Sequence, residues 1–359
     1  MSSNVKSPVP TRTDLQHGGN FYRVAIVGGG SLKGKEVAEM LEARNFPSLD
    51  VKLLDDDESL GQLEAVRDEV TFIQKVRADE FHNVDVTFFA SDAECTRKNW
   101  KMAQGQGSAV VDLSYALEDE PSATVRSPWV ERQLGQQIVP ELQPGPAVAA
   151  HPASVVLALL TLRLQKAFKV AEVIANVFEP ASEHGQKGMD ELHQQTVNLL
   201  SFQQLPKSVF DAQVAFNMVS RYGEQSAMAL HSIQERILRH YQRITGGSGL
   251  VPSLLVLQAP IFHGHAFSLH VDIDQVADVE RIGDALAGEH VIVTHGAEDA
   301  PSNVNAAGQG DIQVSVLPDG AKPQAFWLWV AADNLRVAAA TAVECAESIV
   351  ATRPRGKIQ

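Results

Sequence analysis

Cysteine is scarce in this chain, and long apolar stretches are missing. Two cysteines, Cys95 and Cys345, stand far apart among 359 residues, which argues against a disulfide scaffold and favours the reducing cytoplasm. Cys95 is flanked by acids, which raise the pKa of a thiol and discourage its reactivity. No stretch approaches the roughly 20 apolar residues that span a bilayer, so no membrane segment is expected. Residues 1–20 are polar with prolines and glycines, and they predict a flexible tail.

Basic residues are also fewer than acidic residues in this chain. The chain has 30 Lys and Arg against 44 Asp and Glu, a formal net charge of −14. Such a surface repels phosphate backbones and anionic membranes, so neither nucleic acid nor a membrane is an expected partner. A small-molecule nucleotide or a partner enzyme remains plausible. Hydrophobic residues make up 44% of the chain, and a chain of this length predicts two domains with sizeable cores.

The first half has the pattern of a dinucleotide-binding domain. An apolar, β-branched strand pattern at Arg23–Val27 leads directly into glycines, and a helical pattern follows. Gly28, Gly30 and Gly34 would let backbone amides approach a pyrophosphate at the helix N-terminus. Ser31 stands where a middle glycine is usual, and its side chain narrows that approach. A glycine turn alone is weak evidence, because many tight turns bind nothing.

An acidic run from Asp55 to Glu58 follows a second predicted strand at Asp50–Leu54. An acid at this strand end accepts hydrogen bonds from a ribose 2′-hydroxyl and repels a 2′-phosphate, so NAD is predicted and NADP disfavoured. The alternative is a solvated acidic loop without a ligand. Further strand patterns at Val84–Ala90 and Ala109–Leu113 alternate with helical or loop sequence. This alternation predicts a mostly parallel sheet covered by helices.

The second half mixes strand and helix patterns. Strand patterns occur at Val170–Phe178, Leu254–Phe262, Phe267–Ile273, Gln313–Leu317 and Ala325–Val330. Helical patterns occur at Ser226–Ile244 and Val276–Ala287. A second α/β domain is therefore expected after the first.

Short motifs in a shared order run along almost the whole chain. Among them are Val24-Ala25-Ile26-Val27-Gly28, Val110-Val111-Asp112-Leu113-Ser114, Ala259-Pro260-Ile261-Phe262-His263-Gly264-His265 and Asp333-Asn334-Leu335-Arg336. Through these motifs the chain resembles the aspartate-semialdehyde dehydrogenase family, in particular a divergent paralogue branch. The resemblance implies an α/β fold: a Rossmann domain at 21–150, an α/β catalytic-type and dimerisation domain at 151–330, and a C-terminal helix within 331–359 that packs back on the first domain. It also implies a cytoplasmic homodimer, a role in amino-acid biosynthesis and an NAD(P) site that includes Asn334.

The family's reaction requires a cysteine thiolate that attacks the aldehyde; hydride leaves to the nicotinamide and phosphate releases the thioester. The resemblance places Ser154 at this position, and a hydroxyl is far less acidic than a thiol. Glu179 takes the place of the orienting glutamine, and Gln258 that of the arginine that clamps the substrate carboxylate. Glu118 replaces the phosphate-binding arginine and reverses its charge. His265, the general base, is the catalytic residue that is retained.

The favoured interpretation is therefore an NAD-binding scaffold that has lost phosphorylating aldehyde dehydrogenase activity. One alternative is an active NAD(P)-dependent oxidoreductase with an altered, non-anionic substrate. A second alternative is an acyl hydrolase built from Ser154, His265 and an acid such as Glu179, although no nucleophile-elbow sequence surrounds the serine. No metal site is expected, because His263 and His265 would share a strand face opposite His270, with no carboxylate at ligand spacing nearby.

Overall fold

The computed structural model describes residues 21–56, 60–66, 69–136, 145–296 and 300–352. Within these ranges the chain forms a seven-stranded sheet, a six-stranded sheet, a two-stranded hairpin and nine α-helices. The predicted α/β architecture with two sheet-based units is thus confirmed. None of the helices in these ranges is long and apolar enough to cross a membrane.

The first sheet is parallel throughout and has the strand order β5-β2-β1-β6-β7-β9-β8. Its strands are β1 (Tyr22–Val27), β2 (Ser48–Asp55), β5 (Gln74–Lys75), β6 (Val86–Phe89), β7 (Ala109–Asp112), β8 (Thr124–Arg126) and β9 (Ala147–Ala149); β3 (Leu63–Val66) and β4 (Glu69–Phe72) form the separate hairpin. The central strands are buried on both faces, as expected for a parallel sheet covered by helices. The sheet grows in opposite directions from β1, so a crevice opens at the carboxyl ends of β1 and β6.

The second sheet is mixed and has the order β11-β10-β12-β15-β14-β13. Its strands are β10 (Val170–Glu179), β11 (Ser253–Gln258), β12 (His265–Ile273), β13 (Val291–Thr294), β14 (Ile312–Pro318) and β15 (Ala325–Ala332). The helices of both units are α1 (Leu32–Ala43), α2 (Ala93–Gly105), α3 (Pro128–Gln133), α4 (Pro152–Ala167), α5 (Gly185–Leu200), α6 (Leu230–Thr245), α7 (Val279–Leu286), α8 (Asn303–Ala306) and α9 (Asn334–Thr352). Burial alternates along β12, where Phe267, Leu269 and Val271 point into the core.

Two predicted elements have different bounds in the structure. The strand predicted to run to Phe262 ends at Gln258, because Pro260 has no backbone N–H for the sheet ladder. The helix predicted from Ser226 begins at Leu230. The hydroxyl of Ser226 instead donates a hydrogen bond to the carbonyl of Val209, which holds this segment in a loop.

The C-terminal helix α9 returns to the first unit, as predicted, and packs on α1, β7 and β9. A buried carboxylate fixes it there. Glu344 lies 2.9 Å from Arg44 Nη1 and 2.7 Å from Arg132 Nη1, and it accepts a 3.0 Å hydrogen bond from the indole of Trp129. Charge-assisted contacts of this kind are strong where solvent is excluded.

Candidate active site in the interdomain cleft

The glycine turn between β1 and α1 is packed too tightly for side chains. Gly28 has a φ of +86°, and a Cβ on it would lie 2.4 Å from the backbone nitrogen of Ser91. A Cβ on Gly34 would lie 2.1 Å from the carbonyl oxygen of Gly28. Both glycines are therefore required by the close approach of backbone segments, and Gly30 lies in the same turn. A Cβ on Gly29 would also lie 2.8 Å from the Cβ of Leu53, so packing alone explains three of the four glycines in the turn.

Ser31 is the N-cap of α1. Its hydroxyl oxygen accepts a 2.9 Å hydrogen bond from the Gly34 amide and donates a 2.8 Å bond to the carbonyl of Ala90. A cap of this kind satisfies a helix amide that has no partner within the helix. One of the donors that would otherwise face a phosphate is thus already used by the protein.

Asp55 ends β2, as predicted, and lies buried at the edge of the crevice. Its carboxylate accepts a 2.9 Å hydrogen bond from the Asp56 amide, and Asp56 in turn lies 3.6 Å from Lys98. Asp57 and Glu58 lie outside the described residues. Asp55 is thus a buried acid at the carboxyl end of β2.

Ser154 lies in the first turn of α4 and is fully buried. Its hydroxyl donates a 2.8 Å hydrogen bond to the backbone carbonyl of Ile237 in α6. The serine hydroxyl thus joins two packed helices. A hydroxyl has a single proton, so this contact takes the donor that a general base would have to remove.

His265, at the start of β12, and Glu179, at the end of β10, are brought together as a buried pair. His265 Nε2 lies 3.0 Å from Glu179 Oε2, and each side chain is 1% exposed. Burial lowers the pKa of His265, but the hydrogen bond and negative charge of Glu179 outweigh burial and raise this pKa above its usual value. His265 Nδ1 has no hydrogen-bond partner among the described residues. The pair therefore retains an oriented base.

Lys33, in the first turn of α1, forms an ion pair with Glu183 of the second unit. Its Nζ lies 3.6 Å from Glu183 Oε2 and donates 3.4 Å hydrogen bonds to the hydroxyl of Tyr115 and the carbonyl of Leu113. Burial lowers the pKa of Lys33, but Tyr115 and Glu183 outweigh it and hold this pKa above its usual range. Burial raises the pKa of Glu183, and the charge of Lys33 more than reverses that effect. The sequence analysis did not predict this ion pair. The position of Lys33 between Gly30 and Gly34 is the one local feature that could have indicated it.

Asn334 lies in the same network. Its Oδ1 accepts a 3.0 Å hydrogen bond from the Gly264 amide, and its Nδ2 donates a 2.9 Å bond to Glu183 Oε1. Asn334, which the resemblance predicts as a cofactor contact, also ties α9 to the segment that precedes β12.

Tyr115 lies between the two units in a backbone conformation that aromatic residues rarely adopt, with a φ of +64°. The carboxylate of Asp112 holds this turn by accepting bonds from the amides of Ser114, at 2.7 Å, and Leu117, at 2.9 Å. The Tyr115 ring makes two cation–π contacts. Lys33 Nζ lies 4.6 Å from the ring centroid and the Arg236 guanidinium lies 5.1 Å from it. The strained turn thus places an aromatic ring beside two cations.

Glu118 contacts two arginines and a histidine of α6. Its carboxylate lies 3.1 Å from Arg236 Nε, 3.3 Å from Arg239 Nη2 and 2.9 Å from His240 Nε2. Burial raises the pKa of Glu118, but the hydrogen bond from His240 and the charge of Arg236 lower it to about 2. The predicted charge reversal is therefore neutralised within the protein.

Both ends of the Gln258 amide are hydrogen-bonded within the protein. Its Oε1 accepts a 2.7 Å hydrogen bond from the hydroxyl of Tyr222, and its Nε2 donates to the carbonyls of Glu179 and Ala259 at 3.0 and 2.8 Å. Both ends are held by the protein, so this side chain makes contacts that support Glu179 rather than contacts to a ligand carboxylate.

Comparison with known proteins places this geometry in a family. The model for the semialdehyde dehydrogenase NAD binding domain matches residues 23–144, and the model for the semialdehyde dehydrogenase dimerisation domain matches residues 159–337. The chain belongs to the semialdehyde dehydrogenase family. The resemblance inferred from the motifs is thus confirmed.

Individual relatives of this semialdehyde dehydrogenase family member span nearly its whole length. The USG-1 protein homolog of Pseudomonas aeruginosa is 30% identical and covers 88% of this chain and 94% of its own. The aspartate-semialdehyde dehydrogenase of Rickettsia bellii is 25% identical, with coverage of 92% and 98%. The solved structure of aspartate semialdehyde dehydrogenase II from Vibrio cholerae has a TM-score of 0.80 at 23% identity and covers 93% of this chain and 99% of that one, which shows the same fold.

Three neighbouring side chains in the cleft are of types that bind metal ions. The ligand atoms of His151, Glu179 and Glu183 lie within 4.8 Å of one another. However, the two carboxylates already face His265 and Lys33. His151 Nδ1 accepts a hydrogen bond from a backbone amide, so a neutral ring carries its proton on Nε2, the atom 4.0 Å from Glu183. The donor set therefore does not fit a metal ion.

Two sequence expectations about histidines in this family member were wrong. A carboxylate does lie beside His265, because β10 brings Glu179 to it from a distant part of the chain. His263 lies outside β12, since Gly264 turns the backbone at a φ of +82°. His270 is on the opposite face of the strand, as predicted, and lies 3.0 Å from Asp319.

Proposed function

We propose that this protein is a dinucleotide-binding member of the semialdehyde dehydrogenase family that has lost thioester-forming aldehyde oxidation. The contact that carries the proposal is the 2.8 Å hydrogen bond from the Ser154 hydroxyl to the carbonyl of Ile237. The base His265 is bound to Glu179. The nucleophile position thus offers neither a thiolate nor a hydroxyl that is hydrogen-bonded to a base.

The two anion clamps expected of a phosphorylating enzyme are replaced by groups with internal partners. The Gln258 amide is hydrogen-bonded to Tyr222, Glu179 and Ala259. The Glu118 carboxylate forms an ion pair with Arg236 of α6. A charge-assisted hydrogen bond contributes about 1.5–3 kcal/mol, so the loss of both clamps would remove most of the affinity for an aspartyl substrate and phosphate.

We propose that the first unit, 21–150 with the C-terminal helix, holds NAD in preference to NADP. The N-terminus of α1 would face the pyrophosphate, and Asp55 would accept a hydrogen bond from the ribose 2′-hydroxyl and repel a 2′-phosphate. A bound nicotinamide would supply a hydride acceptor. The residues of this chain would orient the dinucleotide, while Ser31 leaves it one amide donor fewer.

We also propose a homodimer formed through residues 151–330. The match to the dimerisation domain supports this assembly. The outer face of the second sheet carries apolar side chains that remain well exposed: Ile174 at 40%, Leu255 at 46%, Trp327 at 39% and Trp329 at 37%. Large apolar side chains that stay exposed on one sheet are typical of a protein interface.

Calorimetry and a turnover assay test the proposal together. NAD is expected to bind more tightly than NADP, and no reduced cofactor should form with aspartate semialdehyde and phosphate or arsenate. Turnover that disappears in His265→Ala would overturn the loss of activity. Tighter binding of NADP would refute the role given to Asp55.

The buried His265–Glu179 pair favours one second candidate, an oxidoreductase with an altered, non-anionic substrate, because an oriented base is kept. A panel of uncharged aldehydes in the same assay distinguishes it. The acyl hydrolase alternative lacks support, since the Ser154 hydroxyl is bound to a backbone carbonyl. A fluorophosphonate probe is expected to leave Ser154 unlabelled.

A further inference from the structure

A cavity of about 530 Å³ lies at the C-terminal end of α4. It is bounded by α3, by α4 and by the turn that follows α7. Arg163, in its wall, lies roughly 14 Å farther along α4 than Ser154, at the rise per residue of an α-helix. Among its lining residues are Trp129, Arg132, Arg163, Lys166, Glu289 and His290. None of these residues takes part in the cleft described above.

Arg163 is a buried cation that forms no ion pair with the described residues. It is 8% exposed, and no carboxylate of the described residues lies within ion-pair distance of it. Its two terminal nitrogens donate 2.6 Å hydrogen bonds to the carbonyls of Leu286 and Glu289, and Nε lies 3.4 Å from the side-chain oxygen of Gln133. These neutral acceptors fix the guanidinium in place. The negative charge of Glu289 offsets only part of the cost of burial, which lowers the pKa of Arg163 overall.

Of the other two cations of the cavity, Lys166 adds to this positive charge, whereas Arg132 is paired. Lys166 has no ion-pair partner among the described residues. Arg132 is held by the buried Glu344 at 2.7 Å and by the more exposed Glu289 at 3.4 Å. Of the three cations in the lining, Arg163 and Lys166 therefore form no ion pair among the described residues, and the one carboxylate of the lining, Glu289, is 66% exposed, in a chain of net charge −14. Clefts lined by one sign of charge concentrate ligands of the opposite sign.

The turn after α7 is strained where it meets the cavity. His290 has a φ of +64°, and its ring stacks on Trp129 with a centroid distance of 3.9 Å and an interplanar angle of 8°. His290 Nε2 also lies 3.1 Å from Arg132 Nη2, so stacking and hydrogen bonding together hold the turn. Strained backbone that its surroundings hold in place is concentrated at ligand sites.

We propose that this cavity binds a small organic oxyanion, a carboxylate or a phosphate ester, that supplies the counter-charge to Arg163 with Lys166 as its second contact. Its volume suits a metabolite-sized ligand. The site is separate from the dinucleotide crevice, so both can be occupied at once.

Isothermal titration with citrate, inorganic phosphate and AMP, in low-salt buffer containing saturating NAD, tests this proposal. At least one of these probes is expected to bind and to change the fluorescence of Trp129, which lines the cavity. Lys166→Met should weaken binding about tenfold, and Arg163→Gln should abolish it. Lys169→Met is the matched control, because Lys169 lies near the same end of α4, is 83% exposed and pairs with Asp274 outside the cavity.

Two results would overturn the proposal. One is the absence of binding of all three probes to the wild-type chain. The other is binding that Lys166→Met leaves unchanged, which would place the anion elsewhere, for example on the arginines of α6. If Arg163→Gln does not fold, Lys166→Met and Lys169→Met still decide between these outcomes. Weak NAD binding does not affect the comparison, because every titration is repeated without NAD.

Discussion

Glu118→Gln should destabilise the protein by removing the counter-ion of α6 while preserving the shape of the side chain. The pKa of Glu118 falls from an ordinary 4.5 to about 2, with Arg236 and His240 as the main favourable partners. At about 1.4 kcal/mol per unit, this shift corresponds to about 3 kcal/mol of stability at neutral pH. Because Arg239 is 40% exposed and solvent screens its share, we expect a loss of about 2 kcal/mol. The melting temperature should then fall by roughly 3 °C for a chain of 359 residues.

The same ion pairs predict how the stability difference between the wild type and Glu118→Gln depends on pH. A carboxylate with a lowered pKa contributes its full stability above its unfolded pKa and loses it as pH falls through the folded value. The difference between wild type and Glu118→Gln should therefore be constant above about pH 5 and shrink between about pH 4.5 and pH 2. Calorimetric melting at several pH values measures it.

Asp119→Asn is the control for Glu118→Gln, because the Asp119 side chain is 77% exposed and has a single 3.4 Å contact with Arg243. A change below about 0.5 kcal/mol is expected for it. Equal melting temperatures for the two variants would refute the assignment of Glu118 as a counter-ion. A difference that persists undiminished near pH 2 would refute it as well.

Four further perturbations have defined outcomes. Ser154→Cys should not restore aldehyde oxidation, since Gln258 and Glu118 still replace both clamps; formation of reduced cofactor by this variant would contradict that reasoning. Glu344→Gln should destabilise the protein by about 2 kcal/mol, because Arg44 and Arg132 both lose their charge-assisted contact with this buried carboxylate; urea unfolding should show a smaller loss for Glu347→Gln, whose side chain is 33% exposed, and equal losses would contradict the role of burial. Cys95 and Cys345 should not react with a thiol reagent in the native protein near pH 8, since burial raises the pKa of each to about 12; rapid labelling would show that they are accessible. Asp55→Ser should reduce the preference for NAD over NADP measured by calorimetry, and an unchanged ratio would exclude a ribose contact.

Local patterns in the sequence are sufficient to predict the elements that frame the cleft. The β-branched run ahead of Gly28 predicts β1, and the periodic apolar positions after Gly34 predict α1. Family motifs place Ser154 and His265 at the corresponding sites of the second unit. These features depend on residues that are close together in the chain or on the order of motifs, so the amino-acid sequence alone predicts them.

The pairing of charges across the cleft cannot be predicted in that way. Lys33 and Glu183 belong to different units, and so do Glu118 and Arg236. Which charges meet depends on how the two sheets pack, and no local periodicity encodes that packing. The direction of the Ser154 hydroxyl likewise follows from the approach of α6 to α4. Sequence identifies the substitutions; the structure shows that each substituted group has an internal partner.

Intact-mass spectrometry after incubation with NAD and aspartate semialdehyde, without phosphate, tests most directly whether thioester-type chemistry has been lost. Without phosphate to release it, any acyl intermediate would accumulate on the residue at the nucleophile position. We predict that the protein keeps its unmodified mass, because the Ser154 hydroxyl is hydrogen-bonded to the Ile237 carbonyl. An added acyl group that peptide mapping assigns to Ser154, together with an equal amount of reduced cofactor, would contradict the proposed loss of activity.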